Sequence, residues 1–486
     1  MADSPSDPKL MTAPESGVKI RMYRQGLGDC FLLAFATGVG RPFYMLIDCG
    51  VLMGTEGAAD KMRQVAESLR AATGGRIDVL VATHQHWDHL SGFDQAREVF
   101  DQIEIGEVWV AWTEDPNNDL ANRLRARRRA HLRALGGAAQ ALRAAGDGGK
   151  AGALEAVLGF FGELGVDGRP SRIEAALDYV LGRGKPPRYR APGEVVGLPG
   201  GAARVYVLGP PQDEALLLRS EPSSRASEVY EKRLQLSPET AFFAAVLADA
   251  PPESPEERDL RNLSFPFEEV YRVDPPEAQK DPFYQEHYYG KGGTGEEAAW
   301  RQIESDWLGA GETLALQLDS DTNNTSLALA IELSPGGKVL LFPGDAQVGN
   351  WLSWHNLRWS REDDPTIAAD AADLLRRTAL YKVGHHASHN ATLREKGLEL
   401  MARPDLVAMI PVDEAMAHKP KGGNPDGWDM PFQPLLARLK EKTRGRVLRA
   451  DAGAPAPEDL ADPADREAFA KDRIETPLYL EITIPA

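Results

Sequence analysis

An apolar run, Ile77-Asp78-Val79-Leu80-Val81-Ala82-Thr83, ends directly in His84-Gln85-His86-Trp87-Asp88-His89, and no other junction constrains the fold of this chain so strongly. The run reads as a buried strand, which places the polar cluster in the loop at that strand's C-terminal end, where sites collect in layered α/β proteins. In an extended loop, residues i and i+2 point the same way, so His84 and His86 can grip one ion while Asp88 and His89 serve a second. Imidazole nitrogen mixed with carboxylate oxygen suits zinc first, with manganese or iron as alternatives.

Strand-like segments surround this junction. VKIRMYR from Val18, CFLLAFA from Cys30 and FYMLID ending at Asp48 predict three short strands. Ala58 to Ala72 has helical spacing, with Met62, Val65, Ala66 and Leu69 on one face and Gly74 and Gly75 as the stop. EVWVAW at 107–112 reads as a strand. The Ala, Leu and Arg rich stretch at about 119–183 reads as a helical insertion of two or three helices, broken at 146–149. ARVYVLGPP at 203–211 is strand and turn, and 234–248 is a helix capped by Ser237. From about 249 to 311 Pro, Glu and Gly dominate, giving a long irregular insertion. Strands then resume at ETLALQL (312–318), NTSLALAIEL and KVLLF, followed by a helix near 346–356. LYKVG is a strand running into HHASHN, with helices near 391–401 and 433–442 flanking the strand DLVAMIP. PLYLEITIP closes the chain as a strand that needs a sheet edge. The domain reading is a mobile tail at 1–17, one catalytic-size domain at 18–450, and an acidic linker with a closing strand at 451–486.

Composition excludes several classes. With 55 Lys+Arg against 73 Asp+Glu the net charge is -18, so the overall field repels long polyanions such as duplex DNA. Two cysteines among 486 residues cannot staple a secreted scaffold, and Cys30 and Cys49 form no CxxC pattern. No basic and apolar leader opens the sequence and no apolar run reaches membrane-spanning length, so a soluble cytoplasmic protein without a membrane role is expected.

THQHWDH resembles the HxHxDH signature of the metallo-β-lactamase superfamily, and further segments follow in that family's order. IDCG supplies Asp48, LFPGDA supplies Asp345, KVGHHASHN supplies a late histidine, and YVLGPP resembles a connecting strand and turn. GLGDCFLL at 26–33, TNNTSLALAIEL at 322–333 and GHHASHN at 384–390 look most like the branch containing the soluble domain of ComEC-type DNA-uptake proteins. The resemblance implies an α/β fold, the αββα metallo-β-lactamase sandwich, here carrying the two insertions. It implies two divalent ions: His84 and His86 as ligands of the first, Asp88 and His89 of the second, Asp345 bridging, and His385 as the remaining ligand. His386 is then the neighbouring donor or catalytic acid, with the adjacent pair open to the opposite assignment, and Asp48 orients a ligand histidine. A third histidine for the first ion has no counterpart here, since His131 and His287 stand in other contexts; Asp319, Asp321 or Asn324 are the candidates to replace it.

Two such ions imply hydrolysis by a hydroxide held between them, with Asp88 orienting it and His386 or His389 protonating the leaving group. Lys382, Ser388, Asn390 and Asn324 are expected to contact an anionic oxygen. The leading expectation is a phosphodiesterase or nuclease acting on a small or short single-stranded substrate. Hydrolysis of a carboxylic ester, thioester or lactone is the alternative within catalysis, and a scaffold making protein contacts through its insertions is the alternative outside it. The Arg123 to Arg133 run is expected to be a solvated helix face unless it borders the metal mouth. Phe283, Tyr284, Tyr288 and Tyr289 anchor a loop or stack a base, Trp351, Trp354 and Trp359 pack the core, and GKGGTG at 290–295 lacks the strand and order of a phosphate loop.

Overall fold

The computed structural model describes residues 10–38, 40–144, 148–163, 171–219, 273, 275–278, 280–287, 310–360, 368–420, 426–456, 459–460, 467, 469 and 473–486. The expected helix at 234–248, most of the irregular insertion, Tyr288, Tyr289 and the GKGGTG segment lie outside them.

Seventeen described strands run in chain order: β1 Val18–Tyr23, β2 Cys30–Phe35, β3 Phe43–Cys49, β4 Arg76–Val81, β5 Glu104–Ala111, β6 Arg188–Arg190, β7 Val195–Gly197, β8 Arg204–Gly209, β9 Ala328–Glu332, β10 Val339–Phe342, β11 Arg358–Ser360, β12 Ala368–Asp370, β13 Thr378–Lys382, β14 Val407–Ile410, β15 Val447–Arg449, β16 Arg473–Glu475 and β17 Tyr479–Ile484. Eight form one sheet in the order β16-β17-β1-β2-β3-β4-β5-β6, seven a second in the order β15-β14-β13-β10-β9-β8-β7, and β11 pairs with β12 apart from both. The period-2 pattern decides which residues meet between the sheets. In β2, Phe31, Leu33 and Phe35 join Leu329, Ile331, Leu340 and Phe342 of the facing sheet in one core. Leu32 and Ala34 point the other way, towards the helix Ala58–Thr73 and its residues Met62, Val65 and Leu69. A third cluster covers the outer face of the second sheet, where Trp351, Trp354 and Trp359 are buried. The result is an αββα sandwich, as expected.

Two local readings are overturned. ETLALQL is not a strand but part of the helix Ala310–Asn323. Leu314, Leu316 and Leu318 alternate, yet Leu314, Ala315, Leu318, Asp319, Thr322 and Asn323 are buried at helical spacing, and Leu316 is 47 % exposed. The segment 391–401 carries only a single 3₁₀ turn, Leu398–Leu400, because the chain doubles back at Gly397, where Leu398 N donates to Leu393 O at 2.8 Å. The helical insertion is present as Asp119–Ala144, Gly148–Leu158 and Arg172–Leu181, the last opened by a capping box at Ser171. The closing strand β17 pairs antiparallel with β1, and β16 then covers β17 from the other side. Among the described residues, no helix is long and apolar enough to cross a membrane.

Candidate metal centre

The strand β4 ends at Val81, and the chain turns through 82–86 into the helix Trp87–Gln95. Asp88 and His89 therefore sit in the first turn of a helix rather than in the loop, where the positive end of the peptide dipoles favours the carboxylate. Two glycines let this turn approach the sheet. A Cβ on Gly50 would lie 2.4 Å from the carbonyl carbon of Asp88, and one on Gly28 would lie 2.7 Å from its oxygen. The backbone N–H of Asp29 donates to that same oxygen at 3.0 Å.

Hydrogen bonding fixes the orientation of three imidazoles. Asp48 accepts from Thr83 N at 2.8 Å and Thr83 Oγ1 at 2.7 Å, so the Thr83 oxygen is left to accept from His84 Nδ1 at 3.0 Å. His89 Nδ1 donates to Asp48 Oδ2 at 2.8 Å, and His386 Nδ1 to the carbonyl of Pro411 at 2.7 Å. The opposite nitrogens then turn inward, each able to offer a lone pair to a cation once its ring is neutral. His89 Nε2 lies 3.1 Å from Asp345 Oδ2 and 3.6 Å from Asp88 Oδ2, while His386 Nε2 lies 2.9 Å from Asp88 Oδ2. These four residues, Asp88, His89, Asp345 and His386, form a buried group with the spacing of ligands around one ion. His84 Nε2 and His86 Nδ1 converge at 3.0 Å beside them.

Acceptors that face one another in a dry site need a cation between them. His84 is held well below the ordinary imidazole range by burial and then by His89 and His86, and burial takes His86 down to about 3. Burial would lower His89 too, but Asp345, Asp29, Asp88 and Asp48 outweigh it and hold His89 well above its usual value. Burial, with the charges of Asp88 and Asp345, raises Asp319 well above the carboxylate range, a repulsion that a cation would remove. Asp88 Oδ1, His86 Nε2 and Asp319 Oδ1 are buried without a hydrogen-bond partner. The donor chemistry and these orphaned atoms fit two divalent ions.

Each expected residue can now be placed. His386, not His385, enters the ligand-spaced group; His385 Nδ1 instead meets Ser388 Oγ at 2.9 Å, and Ser388 donates to Asn390 Oδ1 at 3.0 Å. Left-handed backbone at His385, His386 and Ala387 (φ 44°, 50° and 65°) swings the second histidine inward and aims His385 N at Asp345 Oδ1, 2.9 Å away. Lys382, expected at substrate, has no proton to spare for one: its ammonium is buried against Asp29 Oδ2 at 2.5 Å, Asp345 Oδ1 at 3.0 Å and Gly344 O at 2.9 Å. Asn324 is likewise consumed internally, its oxygen accepting from Gln347 N and Asn350 N and its amide donating to Arg219 O. His389 is exposed, with its ring 6.1 Å from that of Phe432.

Asp29 is a residue of the buried cluster that the motif reading passed over. It stands in GLGDC, the turn before β2, and pairs with Lys382 beside His89. The basic helix borders the site rather than only solvent, because Arg128 donates to Gln85 between the two motif histidines and Arg125 to Thr113 O. Arg127, Arg128 and His131 line a small cleft with Thr322 and Thr325 of the segment following Asp319. Phe283 is 57 % exposed and stacks edge-on with Tyr284.

Residues 26–149 match the family model of the metallo-beta-lactamase superfamily. The match covers about a quarter of the chain, from GLGDC through the metal motif into the helical insertion. No curated protein matches the chain. Members of this superfamily are in general metal-dependent hydrolases, and the buried His/Asp group in the two-sheet sandwich is compatible with a metal site of that kind.

Proposed function

We propose that the chain is a metal-dependent phosphodiesterase acting on nucleic acid or a nucleotide-like molecule, similar to the soluble domain of ComEC-type proteins. The observation that carries this reading is the convergence of the three ComEC-like segments on the metal centre. GLGDC brings Asp29 to Lys382 and His89. TNNTS brings Ser326, whose Oγ accepts from Asp345 N at 3.0 Å. GHHASHN brings His386 to Asp88. The Arg128 guanidinium bonded to Gln85, between the two motif histidines, favours an anionic substrate over a neutral ester.

His84 and His86 would hold one ion; Asp88, His89 and His386 the other; Asp345 would lie between. Divalent ions held there would supply positive charge against the phosphoryl oxygens and lower the pKa of water. The chain supplies the rest. Asp88 Oδ1, buried and without a partner, orients the attacking water and takes its proton. Lys382 anchors the Asp345 carboxylate, whose pKa it and His89 hold well below the usual range against the effect of burial. Arg128, held by Gln85 and facing Glu114 at 4.0 Å, places positive charge beside the motif histidines, where it would favour the substrate's remaining negative charge.

The test is hydrolysis of bis(p-nitrophenyl) phosphate by the full chain loaded with zinc or manganese, beside a panel of carboxylic esters, thioesters and lactones. Turnover of the phosphodiester, lost with a chelator and in His386→Ala, is the expected result. Turnover of esters alone would transfer the same site to acyl chemistry, and a metal-loaded chain inert to both classes would leave a scaffold.

A further inference from the structure

The helix Ala310–Asn323 lies outside the matched residues, yet it sets a carboxylate against the metal motif. Asp319 is 6 % exposed; its Oδ2 accepts from Asn323 Nδ2 at 3.1 Å, and its Oδ1 has no hydrogen-bond partner. That oxygen lies 3.6 Å from His86 Nε2, a few tenths of an ångström beyond a hydrogen bond, and His86 Nε2 is itself buried and without a partner. The rings of Phe160 and Phe161 flank His86 at 5.8 and 4.9 Å between centroids and offer that nitrogen no acceptor.

Which nitrogen of His86 carries the proton decides whether the first ion site exists. Thr83 takes the Nδ1 proton of His84, so His84 Nε2 presents a lone pair to His86 Nδ1 at 3.0 Å. With its proton on Nδ1, His86 would donate to His84 and neither nitrogen could bind a cation. With the proton on Nε2, both lone pairs face the same point. His84, His89 and His386 each have a described acceptor holding the outward proton: Thr83, Asp48 and Pro411 O. For His86, Asp319 is the described carboxylate in that place.

We propose that Asp319 is the positioning residue of His86. In its ionised form it accepts the Nε2 proton, so that Nδ1 and His84 Nε2 address one ion. The inference rests on the metal-dependent reading only in placing an ion at His84 and His86, and it is independent of the substrate.

Asp319→Ala and Asp319→Asn are to be compared with wild type and with Glu312→Gln, a change at an exposed position of the same helix. Zinc affinity is read for each site by competition with a chromophoric chelator, and the His86 ring tautomer by ¹⁵N-resolved NMR of the zinc-free protein, with thermal unfolding as the check on folding. The expected result is a 10- to 100-fold weaker hold on one ion of the two, roughly the effect of losing such a partner, with the other ion unchanged and His86 moved to its Nδ1–H form. Asp319→Glu restores part of the affinity, and Glu312→Gln behaves as wild type. Unchanged affinities and tautomer in Asp319→Ala would overturn the proposal, as would equal weakening of both ions, which would make Asp319 a support of the fold. If even the wild type held no ion, the metal-dependent reading would fall, while the tautomer would still decide the role of Asp319.

Discussion

Positive φ at non-glycine residues is concentrated at the candidate metal centre: Asp48, His385, His386 and Ala387 make up four of the five such positions described. Holding them costs energy that the surrounding hydrogen bonds must offset. This is also where the sequence stops being legible at residue scale. Asp48, His84, His86, Asp88, His89 and Asp345 could be placed by motif and order alone. The choice between His385 and His386 turns on three consecutive left-handed residues, which no spacing rule reveals. Lys382 misled for a related reason. A lysine beside a metal motif reads as an anion contact, but two carboxylates, Asp29 and Asp345, outweigh the effect of burial and hold its pKa raised. Lys382→Met strands those carboxylates in a dry site. We expect a loss of about 3–5 kcal/mol, the usual cost of breaking a buried pair, measured by urea unfolding of the metal-free protein. A loss below about 1 kcal/mol, the range of exposed pairs, would mean that the lysine is solvated.

At the scale of elements, the site depends on how closely the helix Trp87–Gln95 approaches the ends of β2 and β3. Gly50→Ala puts a methyl within 2.4 Å of the Asp88 backbone, which must shift. Overpacking of that kind costs about 1–3 kcal/mol, and here it also displaces Asp88 and His89 together, so zinc affinity should fall at their ion. Thermal unfolding and chelator competition check the two effects; a stable Gly50→Ala with normal affinity would show that the approach is looser than described. Most elements were readable from periodicity, because strands buried on alternate faces and helices with one apolar stripe carry their pattern openly. The helix Ala310–Asn323 was not. Its leucines alternate over 314–318, and only the continuation through Asp319 and Thr322 shows the helical face. Reading that stretch as a strand leaves unseen why Asp319 comes to lie beside His86.

For the whole molecule, the two ends of the chain close the same sheet. Glu481 of β17 binds Arg21 of β1 through Nε at 3.0 Å and Nη2 at 2.8 Å, in a buried pair. Ending the chain before β17 would expose the edge of β1 and strand Arg21, so a truncation after Pro477 should not yield soluble folded protein; a soluble truncated form with native circular dichroism would contradict this. Acid stability follows from the buried imidazoles. His86 and His131 are lowered to about 3 and His385 to about 4, mainly by burial, from an ordinary 6.5. Their folded values are depressed, so they contribute fully above about pH 6.5 and the contribution is lost as pH falls towards 3–4. Each adds a slope of up to about 1.4 kcal/mol per pH unit in that window. His89 and His386 are raised and act the other way, losing their contribution as pH rises above about 6.5. The metal-free chain should therefore be most stable near that pH. His131→Gln, outside the ligand-spaced group, should reduce the acid slope by about one proton in urea unfolding; an unchanged slope would place His131 in solvent.

The central claim is that the inward-facing nitrogens and carboxylates are a dinuclear metal centre. Elemental analysis of the purified chain, wild type against Asp88→Ala with His386→Ala, tests it most directly. The account predicts two divalent ions per wild-type chain and loss of the ion at Asp88, His89 and His386 in the variant. A wild-type chain that stays metal-free in excess zinc and manganese, or a variant that keeps both ions, would contradict it.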